Sequence, residues 1–161
     1  MVAGDKVRVE TFVRVPIEDC FRYFTEEIDQ WWRRGPAYRL AKGKTGTMKL
    51  APKLGGKMTE HLDDGTSREI GTITAWEPPK NEKAHFVMEW RGYNFREGEK
   101  TTVEVWFESS GEGTRVKLEH RGWASLPADH PVRHGEPVDA FIRRMGLWWG
   151  GLLTSLRQRQ E

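Results

Sequence analysis

The run from Gly55 to Trp90 limits the fold of this chain more than any other stretch. It reads Gly-Gly-Lys-Met-Thr-Glu-His-Leu-Asp-Asp-Gly, then Ile-Gly-Thr-Ile-Thr-Ala-Trp-Glu-Pro-Pro, then Ala-His-Phe-Val-Met-Glu-Trp. Strand-like segments at Lys57–Leu62, Arg68–Trp76 and Ala84–Trp90 are separated by Asp64-Gly65 and by Pro78-Pro79. Glycine supplies the positive φ that a tight hairpin turn demands. Proline lacks the N–H that a central strand must donate, so the proline pair is read as a strand break. The expectation is a meander of antiparallel strands.

The flanks extend this pattern. Val7, Val9, Thr11, Val13 and Val15 alternate with Lys6, Arg8, Glu10 and Arg14, which predicts a half-buried strand over Lys6–Val15. Pro16 ends that strand and suits the first turn of a helix carrying Ile17, Cys20, Phe21 and Phe24 on one face. Thr25-Glu26-Glu27 is read as the cap of a second short helix that runs to Trp31-Trp32 and stops at Gly35-Pro36. Further strands are expected at Thr47–Ala51, Thr101–Glu108 and Thr114–Arg121. In the last, Val116, Leu118 and His120 share one face and Arg115, Lys117 and Glu119 the other.

A loop with three prolines, Ser125–Pro137, leads into a long helix over Val138–Gln160. Val138, Phe141, Ile142, Met145, Trp148, Trp149, Leu152 and Leu156 recur there at helical spacing. Gly146, Gly150 and Gly151 interrupt it, and three readings stand: a kink, close approach to the sheet, or room for a ligand beside Trp148 and Trp149. An antiparallel sheet with one long amphipathic helix must bury its apolar face against that helix. The fold class is therefore α+β: a curved antiparallel sheet of six or seven strands around a long C-terminal helix, with two short helices after the first strand. This is a helix-grip arrangement, expected as a single domain over residues 1–161.

Composition narrows the function classes. The 161 residues suit one domain, the single Cys20 forms no internal disulfide, and no signal-like or membrane-length apolar run is present. A soluble cytoplasmic protein without membrane attachment is expected. The net charge of +2 comes from interleaved acids and bases, which argues against a nucleic-acid face. Eight tryptophans are the unusual quantity, and the Trp31-Trp32 and Trp148-Trp149 pairs are candidates either for core packing or for pocket walls.

The order of elements resembles the START-type superfamily, also called SRPBCC or Bet v-like. Within it the chain is similar to homologues of the activator of heat-shock-protein-90 ATPase. The matching features are Gly55-Gly56, Asp64-Gly65, Gly71-Thr-Ile, Trp76-Glu-Pro-Pro, Trp90, Gly113-Thr-Arg-Val, His120-Arg-Gly-Trp123 and the run from Gly146 to Leu156. They extend over about Val7 to Leu156. The resemblance implies a space between sheet and last helix that holds small apolar molecules. The eukaryotic namesake stimulates a chaperone ATPase with a related domain beside a separate N-terminal one, for which this chain has no room. The proline-rich Ser125–Pro137 loop is expected to form a lid.

Candidate chemistry follows from inward positions. The expected lining of the cavity is Trp32, Met58, Glu60, Phe86, Met88, Trp90, His120, Met145 and Trp149. Glu60 falls between Met58 and Leu62 on the apolar side of its strand. It reads as a polar anchor or a general base, or else as a salt-bridged or solvated carboxylate. His120 reads as a ligand contact and proton carrier, or as a satisfied core histidine. Together they form the best acid–base pair for a cyclase- or hydrolase-like alternative. His130 and His134, with Asp129 and Glu136, have a metal-like step, but Pro131 interrupts it and no third ligand is well spaced, so no metal and no cofactor is expected. The leading expectation is a non-enzymatic binder of a small apolar molecule, aromatic ones included, as monomer or homodimer. A chaperone regulator is the remaining reading.

Overall fold

The computed structural model describes residues 6–40, 46–92, 95–126, 130–131 and 136–159, apart from the side chains of Ala124 and Val138. Strand β1 (Lys6–Val13) is followed by helices α1 (Ile17–Phe24) and α2 (Ile28–Trp31). Six strands come next: β2 (Thr47–Leu50), β3 (Lys57–His61), β4 (Ser67–Lys80), β5 (Lys83–Trp90), β6 (Thr101–Ser110) and β7 (Gly113–Arg121). A 3-10 turn at Trp123–Ser125 precedes helix α3 (Val138–Gln158). None of the described helices is long and apolar enough to cross a membrane.

The seven strands form one curled antiparallel sheet in the order β1-β7-β6-β5-β4-β3-β2. Consecutive strands pair from β2 to β7, and β1 closes against β7 with Val7 opposite His120 and Val13 opposite Thr114. The alternation read from β5 holds: Ala84, Phe86, Met88 and Trp90 are buried and the residues between them are not. The inner face packs on α3 through Phe141, Met145, Trp149, Leu152, Leu153 and Leu156 and on α1 through Ile17, Cys20, Phe21 and Phe24. Such burial of large apolar side chains contributes about 1.5–3 kcal/mol each and is the main source of stability. The outer face carries an ion-pair chain in which Glu119 meets Lys6, Arg8 and Arg121, and Arg121 also meets Glu104.

Three expectations about local structure are corrected. First, Pro78-Pro79 does not end its strand; β4 runs through both prolines to Lys80. The reason is local pairing. β3 meets β4 only from Ser67 to Thr72, and the β4–β5 register shifts between Glu77 and Lys80, so the prolines stand where few ladder donors are needed. The hairpin turn is instead Asn81-Glu82, with φ of 53° and 63°, both positive as a two-residue type I′ loop requires.

Second, Thr25 does not cap α2. Its hydroxyl donates to the Phe21 carbonyl at 2.7 Å and so closes α1, while the residue before α2, Glu27, makes no side-chain cap bond. Third, β1 ends at Val13 rather than Val15, because the Val15 N–H turns back onto the Val13 carbonyl. The Asp64-Gly65 turn forms as read, with Gly65 at φ 86° and Asp64 accepting from the Thr66 N–H and hydroxyl. Gly71 has a separate cause: a Cβ there would stand 2.1 Å from the Glu89 carbonyl oxygen, so only glycine lets β5 approach.

Candidate functional site

The space between sheet and α3 is occupied by a cluster of indoles. Trp32 follows α2, Trp90 ends β5, and Trp148 and Trp149 lie on α3. Their ring centroids stand 5.1–6.2 Å apart, mostly edge to face. Those distances are within the range of favourable aromatic packing. Trp32, Trp90 and Trp149 are buried, whereas Trp148 is only partly covered and stacks on Tyr38 at 5.4 Å. Two carbonyls of one segment hold two of the rings: the Trp32 N–H donates to Tyr38 (3.1 Å) and the Trp148 N–H to Ala37 (2.6 Å).

That segment, Gly35–Leu40, is fixed by a residue the sequence reading passed over. The Arg39 side chain is only 1% exposed. It donates to the Asp29 carboxylate at 2.7 Å and to the carbonyls of Asp29, Trp32 and Arg33. Asp29 also accepts from the Met48 N–H at 2.9 Å, so one carboxylate joins α2, the segment and β2. Partial burial would raise the Asp29 pKa, but the Met48 N–H and Arg39 outweigh it and hold the carboxyl below its ordinary range. A buried arginine has no periodicity signal; its only trace is a polar residue in a turn next to aromatic positions.

His120 is fully buried on β7 beside this cluster, 5.5 Å from Trp90 and 5.8 Å from Trp149. The Trp149 indole N–H donates to its Nδ1 at 3.0 Å. An indole N–H cannot accept, so Nδ1 is the bare nitrogen and the proton sits on Nε2. Nε2–H then donates to the Thr101 hydroxyl at 2.7 Å, and that hydroxyl donates to the Trp90 carbonyl at 3.2 Å. Every donor in this chain has an acceptor. Burial drives the His120 pKa well below its ordinary value, so the ring is neutral. Thr101 is a second residue that sequence reading missed; its signal was a lone polar member of the inward set Thr101, Val103, Val105 and Phe107.

Glu60 is also fully buried, but elsewhere. On β3 it accepts from Arg68 and from the Leu40 N–H, both at 3.1 Å. Three strands, β4, β5 and β6, separate its strand from that of His120. The nine expected lining residues are all buried, yet they divide into groups. Trp32, Trp90, His120 and Trp149 come together. Phe86 lies instead under α1, with Phe24 at 5.6 Å and Phe107 at 6.3 Å. Met58 on β3 and Met88 on β5 face inward from strands that β4 separates, and Met145 precedes Trp149 by one turn on α3.

The remaining candidates fall outside this cluster. Gly146 and Gly150 have open space where a Cβ would stand, whereas Gly151 meets the Tyr38 hydroxyl at 3.0 Å. Of the three readings of these glycines, close approach therefore applies to Gly151 alone, and to the Gly35–Leu40 segment rather than to the sheet. His130 is buried and pairs with Glu99 at 2.8 Å; Asp129 and His134 lie outside the described residues. So do residues 127–129 and 132–135 of the expected lid. Cys20 is buried beneath α1, where loss of solvation pushes its thiol up to about 12 and leaves it a poor nucleophile. An open groove of about 1030 Å³ runs along the β4–β5 hairpin beside Trp106 and His85.

No curated protein matches the chain significantly. PFC0360w, an HSP90 activator from Plasmodium falciparum, is 26% identical and is covered over 88% of its length by 91% of this chain, with a TM-score of 0.57. Txn09, an anthrahydroquino-gamma-pyrone synthase complexed with a ligand given as SUM, is 25% identical, with 98% of this chain and 99% of that one covered and a TM-score of 0.57. The Aha1 dimer from Colwellia psychrerythraea is 15% identical over 98% of this chain and 94% of that one, with a TM-score of 0.60, and shares the fold alone. A family model described as Activator of Hsp90 ATPase homolog 1-like protein matches residues 14–158. That match spans the sheet from the end of β1 and the whole of α3, and the chain belongs to the Activator of Hsp90 ATPase homolog 1-like family.

Proposed function

We propose that this chain acts as a single cytoplasmic domain that binds a small, largely apolar, aromatic-bearing molecule between its sheet and α3, without catalysing a reaction on it. The observation that carries this is the partly covered Trp148–Tyr38 stack over the buried rings of Trp32, Trp90 and Trp149. A stacked pair at the surface of an aromatic interior exchanges readily for a ligand ring, because one stacking contact replaces another. The buried methionines, Met58 and Met88 of the sheet and Met145 of α3, have flexible side chains that adapt to what they contact. The ligand complex of the similar synthase supports the same use of the fold.

The polar groups of the interior support binding without catalysis. The two nitrogens of His120 are occupied by Trp149 and Thr101, and Glu60 is committed to Arg68 and Leu40. A general acid–base pair needs groups within reach of one substrate proton, and these stand on strands separated by three others. The single buried Cys20 suits a reducing compartment.

Intrinsic fluorescence tests the reading. Titration with a panel of bicyclic and tricyclic aromatic compounds is expected to quench or shift the tryptophan emission saturably, and Trp148→Ala to change the affinity at least several-fold. An emission spectrum that no compound on the panel alters would end this proposal. Regulation of a chaperone ATPase is the second reading, favoured by the similarity to the Plasmodium activator. It requires that the purified chain change the ATPase rate of a 90-kDa heat-shock chaperone; an unaltered rate removes it.

A further inference from the structure

Four buried or half-buried indoles have N–H acceptors in hand. Trp31 donates to Tyr23, Trp32 to Tyr38, Trp148 to Ala37 and Trp149 to His120. Trp123 is different: its side chain is 1% exposed and its Nε1 has no hydrogen-bond partner. Among the described residues two further buried side-chain nitrogens are unpaired, Arg68 Nε and Arg159 Nε. Each belongs to a guanidinium that pairs through another nitrogen, with Glu60 and Glu27 respectively. The Trp123 side chain has one polar atom and that atom is unsatisfied. Native proteins rarely leave a buried donor this way, because the cost is that of a lost hydrogen bond.

The aromatic rings around it offer no acceptor. Trp123 opens the 3-10 turn after β7, where Gly122 reverses the chain at φ 98°. Its ring lies 4.3 Å from that of His120, 4.9 Å from Phe141 at the start of α3, and 6.4 Å from Phe95 in the β5–β6 connection. His120 has no free acceptor, since its one bare nitrogen receives Trp149. The two phenylalanines have none at all. Phe95 is only partly buried and forms the outward side of this cage. His120 links the cage to the indole cluster, touching Trp123 on one side and Trp149 on the other.

We infer that the Trp123 indole N–H is the polar anchor of the ligand site, donating to an oxygen acceptor on an aromatic ligand that enters past Phe95. The inference rests on the small-molecule reading above and adds the ligand's chemistry. An indole donates and does not accept, so the ligand carries a carbonyl, carboxylate or phenolate oxygen on its ring system. A pure hydrocarbon of the same shape lacks this contact. The site selects against it because the donor stays unpaired.

The test uses the full chain and two matched tricyclic probes, 9-fluorenone with a carbonyl and fluorene without one. In fluorescence titrations the wild type is expected to bind fluorenone about 3- to 10-fold more tightly, the worth of one neutral hydrogen bond. Trp123→Phe keeps a six-membered aromatic ring and loses the pyrrole ring with its N–H, so it should lose the preference and bind both probes equally. Its melting temperature is expected to fall by a few degrees, since the smaller side chain leaves a cavity in the core. Equal affinities in the wild type, or a preference that survives in Trp123→Phe, overturn the anchor and leave the binder reading standing. If neither probe binds, and no other aromatic compound of the panel does, both proposals fall together.

Discussion

His120 makes the stability of this protein depend on pH in a way that one substitution can isolate. The fold requires a neutral ring, because Nδ1 must accept from Trp149 and burial resists a charge. In the unfolded chain a histidine titrates near 6.5. Below that pH the unfolded state takes up a proton that the folded state does not, so stability falls as pH falls. The slope is at most about 1.4 kcal/mol per pH unit, which sets an upper bound of about 2 kcal/mol on the loss between pH 8 and pH 5. The loss stops growing only below the depressed pKa of the folded state. In His120→Gln the amide can donate to Thr101 and accept from Trp149, at a pH-independent cost of about 1 kcal/mol. Urea unfolding of both proteins at pH 8, 6.5, 5.5 and 5 isolates the effect, since every other titrating group is common to the pair and cancels. The wild-type advantage present at pH 8 should vanish and reverse by pH 5. A difference that stays constant across the series would refute the argument, because it would mean that His120 accepts a proton inside the fold at no cost.

Two further outcomes are expected. Arg39→Leu leaves the Asp29 carboxylate and the Trp32 carbonyl without their donor and should cost about 3 kcal/mol in urea unfolding, near the low end for a broken buried pair because Asp29 keeps 26% of its side-chain exposure. Arg39→Lys, which cannot reach four acceptors with a planar fork, should recover less than half of that loss. Glu82→Gly removes a non-glycine residue from φ 63° and should raise the melting temperature by about 2–4 °C, corresponding to about 1 kcal/mol; a lowered temperature would show that the Glu82 side chain holds the turn.

The fold was legible because it rests on short-range patterns. Alternation marked β1, β5 and β7, and the three- and four-residue step marked α3. What misled was punctuation. Pro78-Pro79 has the composition of a break, but whether a proline costs a strand anything depends on the neighbour that would have received its N–H. That neighbour, β3, ends its pairing at Thr72. The site was legible by burial and not by partnership. Inward placement of Glu60 and His120 followed from alternation, whereas the residues that satisfy them, Arg68 and Thr101, depend on register across strands. Arg39 and the unpaired N–H of Trp123 had no local signal, because each is defined by what surrounds it in space.

The passage of β4 through Pro78-Pro79 has a consequence for how molecules of this protein meet. Beyond Thr72 β4 has no β3 alongside it, and the long β4–β5 hairpin projects with one side open to a groove of about 400 Å³ shared with α1. An unpaired strand side of this length ordinarily recruits another strand, the first step toward runaway aggregation. Two adjacent residues without N–H groups deny an incoming chain the donors it needs to dock in register. The same dipeptide that reads as a stop signal therefore leaves this side of the hairpin two donors short for an incoming strand, beside an open groove.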